Sequence, residues 1–257
     1  MKNKVILISV DGMRPDGLLA CGNPYTEVLM RECSYTLKGK TVFPSITLPC
    51  HYSMAHSITP QRHGILNNTY MTPVRPVRGI FERVLDAGGV SCMFYGWEHM
   101  RDIAHPGALK YATYINAYAN ELNDDALTHE AIARIEKSKP DFAFLYLVDT
   151  DDKGGHDSGW MTEEYLYRIS LAVSNIRRVI KLFGDEYSII IMADHGGHDR
   201  IHGTDMPEDM TVPFFFRGPD FEAGRVLEDV SILDIAPTIA KLTGASASPE
   251  WEGKALF

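Results

Sequence analysis

The sequence has few cysteines, no excess of positive charge and no apolar run long enough to cross a bilayer. Lys and Arg number 25 against 34 Asp and Glu, and the net charge of -9 argues against a surface that binds nucleic acid, because affinity for a phosphate backbone depends on clustered cations. A membrane span is likewise not expected. A small phosphorylated substrate remains compatible, since bound divalent cations can outweigh local negative charge.

Cysteine usage and the first ten residues bear on the compartment. The four cysteines lack the paired spacing of metal sites, so we expect free thiols and no disulfide framework: Cys21, Cys33, Cys50 and Cys92. The opening MKNKVILISV has an apolar run that is too short for a signal peptide, and it meets Asp11 and Gly12 where a cleavage site would follow. We therefore read it as a first strand and expect a cytoplasmic protein.

Short apolar runs alternate with helical patterns along the chain. Three runs end directly before Asp11, Asp149 and Asp194, as expected for buried parallel strands, and two further runs extend the set: 5–10, 142–148, 188–193, 212–216 and 90–95. Helical periodicity and glycine stops predict helices over 162–183, 80–87 and 232–242. This alternation predicts an α/β fold with a mostly parallel central sheet and helices on both faces.

The domain organisation follows from length and regularity. A chain of 257 residues suits one domain over 1–257. The stretch of about 70–127 is the least regular, with several prolines and many aromatic residues, including Tyr95 and Trp97. We interpret it as a lid over the site, interrupted by one core strand.

Carboxylates and imidazoles concentrate at the predicted strand ends. Asp11 follows the first strand, 149–156 reads DTDDKGGH, and 194–202 reads DHGGHDRIH. A single Asp after a strand is usually a turn former or a helix cap, but the carboxyl ends of parallel strands converge at one sheet edge. Mixed oxygen and imidazole donors suit zinc or manganese better than calcium. The pattern therefore indicates a metal site.

Within the segment 41–68, TVFPSITLPCHYSMAHSITPQRHGILNN, Thr47 is followed by Pro49 and by a stretch that can form a helix. This placement predicts Thr47 as an N-cap, with its hydroxyl and the neighbouring backbone N–H groups facing outward. Because a helix N-terminus binds anions, a phosphate could be met there by the hydroxyl and the backbone together. A simple capping role explains Thr47 equally well when it is considered alone.

Taken together, these segments resemble the alkaline phosphatase superfamily, and most closely its type I phosphodiesterase/nucleotide pyrophosphatase branch. VILISVDGMRPDGL resembles the branch's first metal strand, TLPCH its T-F-P-N-H nucleophile motif, and PQRHGILNN its P-x-x-H-G-I segment. DKGGH resembles D-x-x-G-H, ADHG resembles S-D-H-G, and the histidine of IHGT matches the last metal histidine. DIAPTIAKLTG and EGKAL are similar to the closing helix and tail, so the motifs run in order from the first strand to the last helix.

The resemblance implies two divalent metal ions, zinc in the first place and manganese as the alternative. Asp152, His156 and His202 would hold one ion, and Asp11, Asp194 and His195 the other, with the Thr47 oxygen beside the second. The implied reaction is attack by Thr47 on phosphorus, a phosphothreonine intermediate and its hydrolysis, with Asn68 donating a hydrogen bond to the phosphate. Weaker candidates for substrate contact are Lys153, Trp97 and Tyr95.

The sequence also departs from the branch, and alternatives stay open. Position 50 is Cys where the motif commonly has Asn, which leaves the substrate undetermined between nucleotide-like diesters, phosphonates, as in phosphonoacetate hydrolases, and phosphomonoesters. Sulfatases need Cys or Ser at the nucleophile position, and Thr47 does not fit that requirement. A different class of function is an inactive metal-containing protein that binds phosphoesters. The oligomeric state is left open.

Overall fold

A seven-stranded sheet forms the centre of the protein, which is described here by a computed structural model covering residues 2–119 and 123–257. The strands lie in the order β2-β7-β6-β1-β5-β3-β4. Their bounds are β1 Lys4–Val10, β2 Ser34–Lys40, β3 Ser91–Tyr95, β4 Tyr111–Tyr114, β5 Phe142–Leu147, β6 Tyr187–Met192 and β7 Thr211–Arg217.

The middle of the sheet is parallel. β1 pairs in parallel with β5 on one side and with β6 on the other, while β7 runs antiparallel to both β6 and β2. Residues 5–10 of β1 are buried, as are all residues of β5 and β6, which explains why these strands read as continuous apolar runs rather than as alternating patterns. The carboxyl ends of β1, β5 and β6 therefore meet at one edge of the sheet.

Nine α-helices surround the sheet in the described ranges. They are α1 Pro15–Ala20, α2 Tyr25–Glu32, α3 Thr47–His56, α4 Pro60–His63, α5 Ile80–Asp86, α6 Asn123–Ser138, α7 Glu163–Phe183, α8 Pro207–Met210 and α9 Ile235–Thr243. The longest, α7, has the Thr162 hydroxyl accepting a hydrogen bond from the backbone N–H of Tyr165, and it ends at Gly184. A π-helical segment, Thr150–Ser158, follows β5.

The predicted α/β class with a mostly parallel sheet is confirmed, and each of the five predicted strands is present. Two strands were not predicted: β2, whose sequence SYTLKGK is largely polar, and β4, which has only four residues. The 70–127 segment contains α5, β3, β4 and the start of α6, so it holds two sheet strands rather than the single one expected. Residues 120–122 of that segment lie outside the described residues, and its role as a lid stays a prediction.

None of the helices in the described part of the chain combines the length and apolar character that crossing a bilayer requires.

Candidate active site

The carboxyl ends of β1, β5 and β6 carry the acidic residues that the sequence placed there. Asp11 follows β1 and its backbone N–H donates to the carbonyl of Leu147 at the end of β5, at 2.9 Å. Asp194 follows β6 by two residues, and both carboxylates are buried, at 2% and 0% exposure. Regular strand pairing thus brings side chains that are far apart in the chain to the same place.

Thr47 is the first helical residue of α3, and Ile46 occupies the cap position with extended backbone angles. The prediction of Thr47 as the N-cap is therefore wrong by one residue. Pro49 falls within the first turn, where its missing N–H costs no helical hydrogen bond. Thr47 is buried, with 4% of the residue exposed, and its Oγ1 lies 3.1 Å from Nε2 of His195.

The first candidate metal group consists of Asp11, Asp194 and His195, which offer ligand atoms within 4.8 Å of one another. Nε2 of His195 lies 3.2 Å from Oδ1 of Asp11 and 3.4 Å from Oδ2 of Asp194. The sequence grouped these residues beside Thr47, and the structure brings all four together.

The second candidate group consists of Asp151, His195 and His202. Asp151 is 3.9 Å from Nε2 of His202 through Oδ1, and 3.4 Å from Nε2 of His156 through Oδ2. The rings of His195 and His202 stack with centroids 3.9 Å apart, so the two groups are contiguous.

Asp152, the carboxylate that the motif indicated, lies outside both groups, and the second group contains the neighbouring Asp151 instead. Both residues belong to the π-helical segment Thr150–Ser158, and of the two carboxylates it is Asp151 that reaches Nε2 of His156, at 3.4 Å. The assignment of Asp152 as a metal ligand stays a prediction. Asp152 is half-buried, and burial together with Asp157 raises its pKa.

His156, His195 and His202 all direct their Nε2 atoms towards the carboxylates of the site. The Nδ1 atoms of His156, His195 and His202 lie 2.9, 2.7 and 2.9 Å from the backbone carbonyls of Arg200, Gly196 and Ser45. A carbonyl only accepts, so each Nδ1 must carry the proton and donate it. In the neutral rings every Nε2 then keeps a lone pair directed at the carboxylates, which is the arrangement that outer hydrogen bonds impose on histidine ligands of metals.

The buried acidic residues and His195 shift one another's pKa values. Burial and the neighbouring Asp11 raise the pKa of both Asp151 and Asp194 well above the usual range. Burial favours the neutral form of His195, but Asp194 and Asp11 raise its pKa to about 10. Burial also acts to raise the pKa of Asp11, yet the neighbouring His195 lowers it to about 2. A proton on His195 thus supplies the positive charge that the carboxylates require.

Unpartnered oxygens mark where a cation fits. Among the described residues, Oδ1 of Asp11, Oδ1 of Asp151 and Oδ2 of Asp194 are buried without a hydrogen-bond partner. Leaving such groups unsatisfied is costly, and all three belong to the two groups described above. Hard oxygens and imidazole nitrogens directed at common points suit divalent ions such as zinc or manganese.

Asn68 lies beside the start of α3, as the motif indicated. Its Oδ1 accepts a hydrogen bond from the backbone N–H of Leu48 at 3.0 Å, so the amide group is oriented with Nδ2 as the remaining donor. One side chain thereby satisfies an otherwise unpaired N–H of the first helical turn and presents a donor next to Thr47.

The weaker candidates for substrate contact have partners within the protein. Lys153 forms an ion pair with Asp149 at 2.9 Å. Tyr95 is 8% exposed and stacks on Tyr114 with centroids 5.4 Å apart, while Trp97 stacks on His99 at 4.4 Å. These contacts account for their positions, and a role in substrate binding stays a prediction for all three.

Two further residues shape the site, Gly12 and Tyr146, and neither of them was predicted from the sequence. Gly12 has φ +64, its backbone N–H donates to Oδ1 of Asp194 at 3.2 Å, and a Cβ added there would lie 2.9 Å from Oδ1 of Asp151. Tyr146 of β5 donates its hydroxyl proton to Oδ2 of Asp11. Gly12 lies within the recognised VDGMRPDGL segment, but its place between two carboxylates depends on tertiary structure.

Solved structures with the same fold support the architecture. Murine ectonucleotide pyrophosphatase/phosphodiesterase 5, an inactive threonine-to-alanine variant in complex with AMP, matches with a TM-score of 0.82 at 16% identity, covering 96% of each chain. A phosphonate monoester hydrolase from Silicibacter pomeroyi matches with a TM-score of 0.77 at 17% identity, covering 99% of this chain and 76% of that one. At these identities the similarity establishes the alkaline-phosphatase-like fold.

The sequence comparisons cover different shares of the chain. An uncharacterised pyrophosphatase/phosphodiesterase of Schizosaccharomyces pombe is 36% identical over 73 residues, which is 28% of this chain and 15% of that protein. The alignment thus spans a minor part of the curated relative's length. The sequence model of the type I phosphodiesterase/nucleotide pyrophosphatase family matches residues 5–206, a range that holds Thr47 and both candidate metal groups, and the chain therefore belongs to this family.

Proposed function

We propose that the protein is a two-metal hydrolase of phosphate esters that uses Thr47 as its nucleophile, with phosphodiesters and nucleotide pyrophosphates as the preferred substrates. The observation that carries this proposal is the position of Thr47, whose hydroxyl lies 3.1 Å from Nε2 of His195 in a group with Asp11 and Asp194. Family membership and a same-fold relative whose inactive threonine-to-alanine variant was solved in complex with AMP support it.

We assign Asp151, His156 and His202 to one ion and Asp11, Asp194 and His195 to the other, with zinc or manganese as the metals. Bound divalent ions would make the Thr47 hydroxyl more acidic and would neutralise charge on the phosphate. The choice of Asp151 over Asp152 rests on its burial, its unpartnered Oδ1 and its position beside His156.

The protein's own residues contribute positioning and hydrogen bonding. The Thr47 hydroxyl gives up its proton and its oxygen forms a bond to phosphorus while the bond from phosphorus to the leaving oxygen breaks. The leaving group departs with the electron pair of that bond and takes up a proton, and a phosphothreonine remains. Water then attacks the phosphorus and releases phosphate or a monoester together with the restored hydroxyl. Throughout, Nδ2 of Asn68 can donate to a nonbridging phosphate oxygen, and the N-terminus of α3 favours negative charge.

A substrate panel tests the proposal. Phosphodiesters, nucleotide pyrophosphates, phosphomonoesters, phosphonates and sulfate esters are compared by kcat/KM with protein loaded with zinc, loaded with manganese or stripped by a chelator. We expect the highest kcat/KM for diesters or pyrophosphates and loss of turnover after chelation, restored by added metal. Full activity in protein shown to be metal-free would refute the two-metal assignment, and absence of turnover on every substrate by loaded protein would favour a binding role.

A further inference from the structure

His51 lies under the site without belonging to either metal group. It sits one turn after Thr47 on α3 and is fully buried. Its ring packs edge-on against Tyr146, with centroids 4.8 Å apart, and Tyr146 donates a hydrogen bond to Asp11. Ser9 and Tyr146 are register partners on the neighbouring strands β1 and β5, so His51 covers a pair of residues just before the strand ends.

The contacts of His51 define which ring nitrogen carries its proton. Nδ1 lies 2.9 Å from the backbone carbonyl of Thr47 and 3.3 Å from Oδ2 of Asp194. Both neighbours are acceptors, so a lone pair at Nδ1 would be repelled and the proton must be there. Nε2 lies 2.9 Å from the hydroxyl of Ser9, which can donate to it. A neutral ring with its proton on Nδ1 thus donates to the Thr47 carbonyl and accepts from Ser9.

We propose that His51 is a positioning residue that connects the backbone of the nucleophile to strand β1 and directs Asp194 towards its metal ion. Through Nε2 it connects α3 to Ser9, which is two residues before Asp11. Its Nδ1–H group donates a hydrogen bond to the carbonyl of Thr47, and the partial positive charge of that hydrogen lies beside the carboxylate of Asp194. Because that proton is donated to Thr47, Oδ2 of Asp194 has no hydrogen-bond partner among the described residues and keeps its lone pairs for a cation. This inference rests on the proposed function.

Two substitutions separate the roles of the two nitrogens. The amide nitrogen of His51→Asn reaches about the position of Nδ1, whereas the amide of His51→Gln reaches that of Nε2. The matched control is His63→Gln, because His63 is also buried and also bonded to a serine, with Nε2 3.0 Å from Oγ of Ser53, but it has no contact with either metal group. His63 therefore reports the general cost of losing a buried histidine.

Metal affinity and turnover are measured together. Stripped protein is titrated with zinc under competition with a chelator, and its unfolding by denaturant is followed in the absence of metal. We expect His51→Gln to weaken one of two zinc equivalents by about 10-fold to 100-fold, as found for other outer-shell partners of metal ligands. Its kcat should fall while KM changes little, and His51→Asn should recover part of both losses. His63→Gln should lower stability without changing zinc affinity.

Equal zinc affinities for His51→Gln, His63→Gln and the unchanged protein would overturn the inference. Should the His51 variants fail to fold, Ser9→Ala removes only the partner of Nε2, and we expect a smaller loss of zinc affinity. The 15N shifts of the His51 ring in the unchanged protein offer a further test, since a proton on Nε2 rather than Nδ1 would contradict the assignment. These readouts do not depend on turnover, so a failure of the proposed function would be seen separately in the substrate panel.

Discussion

The two ends of α3 both lie among histidines, but among the described residues the two candidate metal groups lie at its N-terminal end. At the N-terminal end, Nε2 of His195 is directed at carboxylate oxygens. At the C-terminal end, His56 has Nδ1 2.8 Å from the carbonyl of Val77 and Nε2 3.1 Å from that of Ile103. His63 has Nε2 near Ser53 and Nδ1 accepting from the backbone N–H of Ile65.

Both ends are rich in imidazole and aromatic rings, and sequence composition does not distinguish them. Both ring nitrogens of His56 and of His63 face protein partners. In contrast, Nε2 of His195 faces Oδ1 of Asp11 and Oδ2 of Asp194, which are buried without a hydrogen-bond partner in the described ranges. The buried oxygens without a hydrogen-bond partner, rather than the residue types, distinguish the candidate metal site from the other cluster.

The largest expected effect comes from the nucleophile itself. Thr47→Ala removes the hydroxyl that forms the covalent intermediate, and we expect kcat to fall by about 10⁴-fold or more, as for nucleophiles of other hydrolases. Zinc content should stay at the unchanged level, because the carboxylates and imidazoles remain. Ser53→Ala, which removes a hydroxyl from the other end of α3, is the control and should keep most of the activity. Turnover of Thr47→Ala near the unchanged level would exclude Thr47 as nucleophile.

The next effect distinguishes two adjacent carboxylates. Asp151→Asn should lower the metal content by about one equivalent and reduce kcat by at least about 100-fold, because it removes a direct ligand from one ion. Asp152→Asn should retain both ions and most of the activity. Metal content by elemental analysis and kcat are measured for both variants, and the opposite order would restore the assignment that the motif indicated.

Asn68 allows its two hydrogen-bonding roles to be separated. Asn68→Asp keeps an acceptor for the backbone N–H of Leu48 but loses the donor, and it adds negative charge beside the phosphate. We expect kcat to fall by about 100-fold to 1000-fold, in the range seen when one donor to a developing anion is removed, while thermal stability is preserved. Asn68→Ala should lose activity and some stability together. Equal activity of Asn68→Asp and unchanged protein would exclude the donor role.

The smallest expected effect concerns the structural cluster and pH. Burial lowers the pKa of His63 to about 4 from its ordinary value of 6.5. Between these values the unfolded chain binds a proton that the folded protein does not, so stability rises with pH through this window and falls as the pH drops from 6.5 towards 4. In metal-loaded protein, His63→Gln should flatten the dependence of unfolding free energy on pH by up to about 1.4 kcal/mol per pH unit. An unchanged slope would contradict this contribution.

Much of this arrangement could be predicted from the sequence because it depends on local patterns. Apolar runs located the strands that precede Asp11 and Asp194, and the motif order placed Thr47 with His195. The motif indicated Asp152, whereas the carboxylate that lies beside His156 and His202 is Asp151, because a short motif does not specify the π-helical segment that holds both residues. Strand β2 was missed because only pairing with β7 makes its polar sequence extended.

The backbone of Gly12 approaches two carboxylates of the site more closely than a residue with a side chain could. One face of its peptide holds Asp194 through the backbone N–H, and the other face is so close to Asp151 that a methyl group would lie 2.9 Å from Oδ1. The main chain at Gly12 therefore lies directly between the carboxylates of Asp151 and Asp194, where any larger residue would displace one of them.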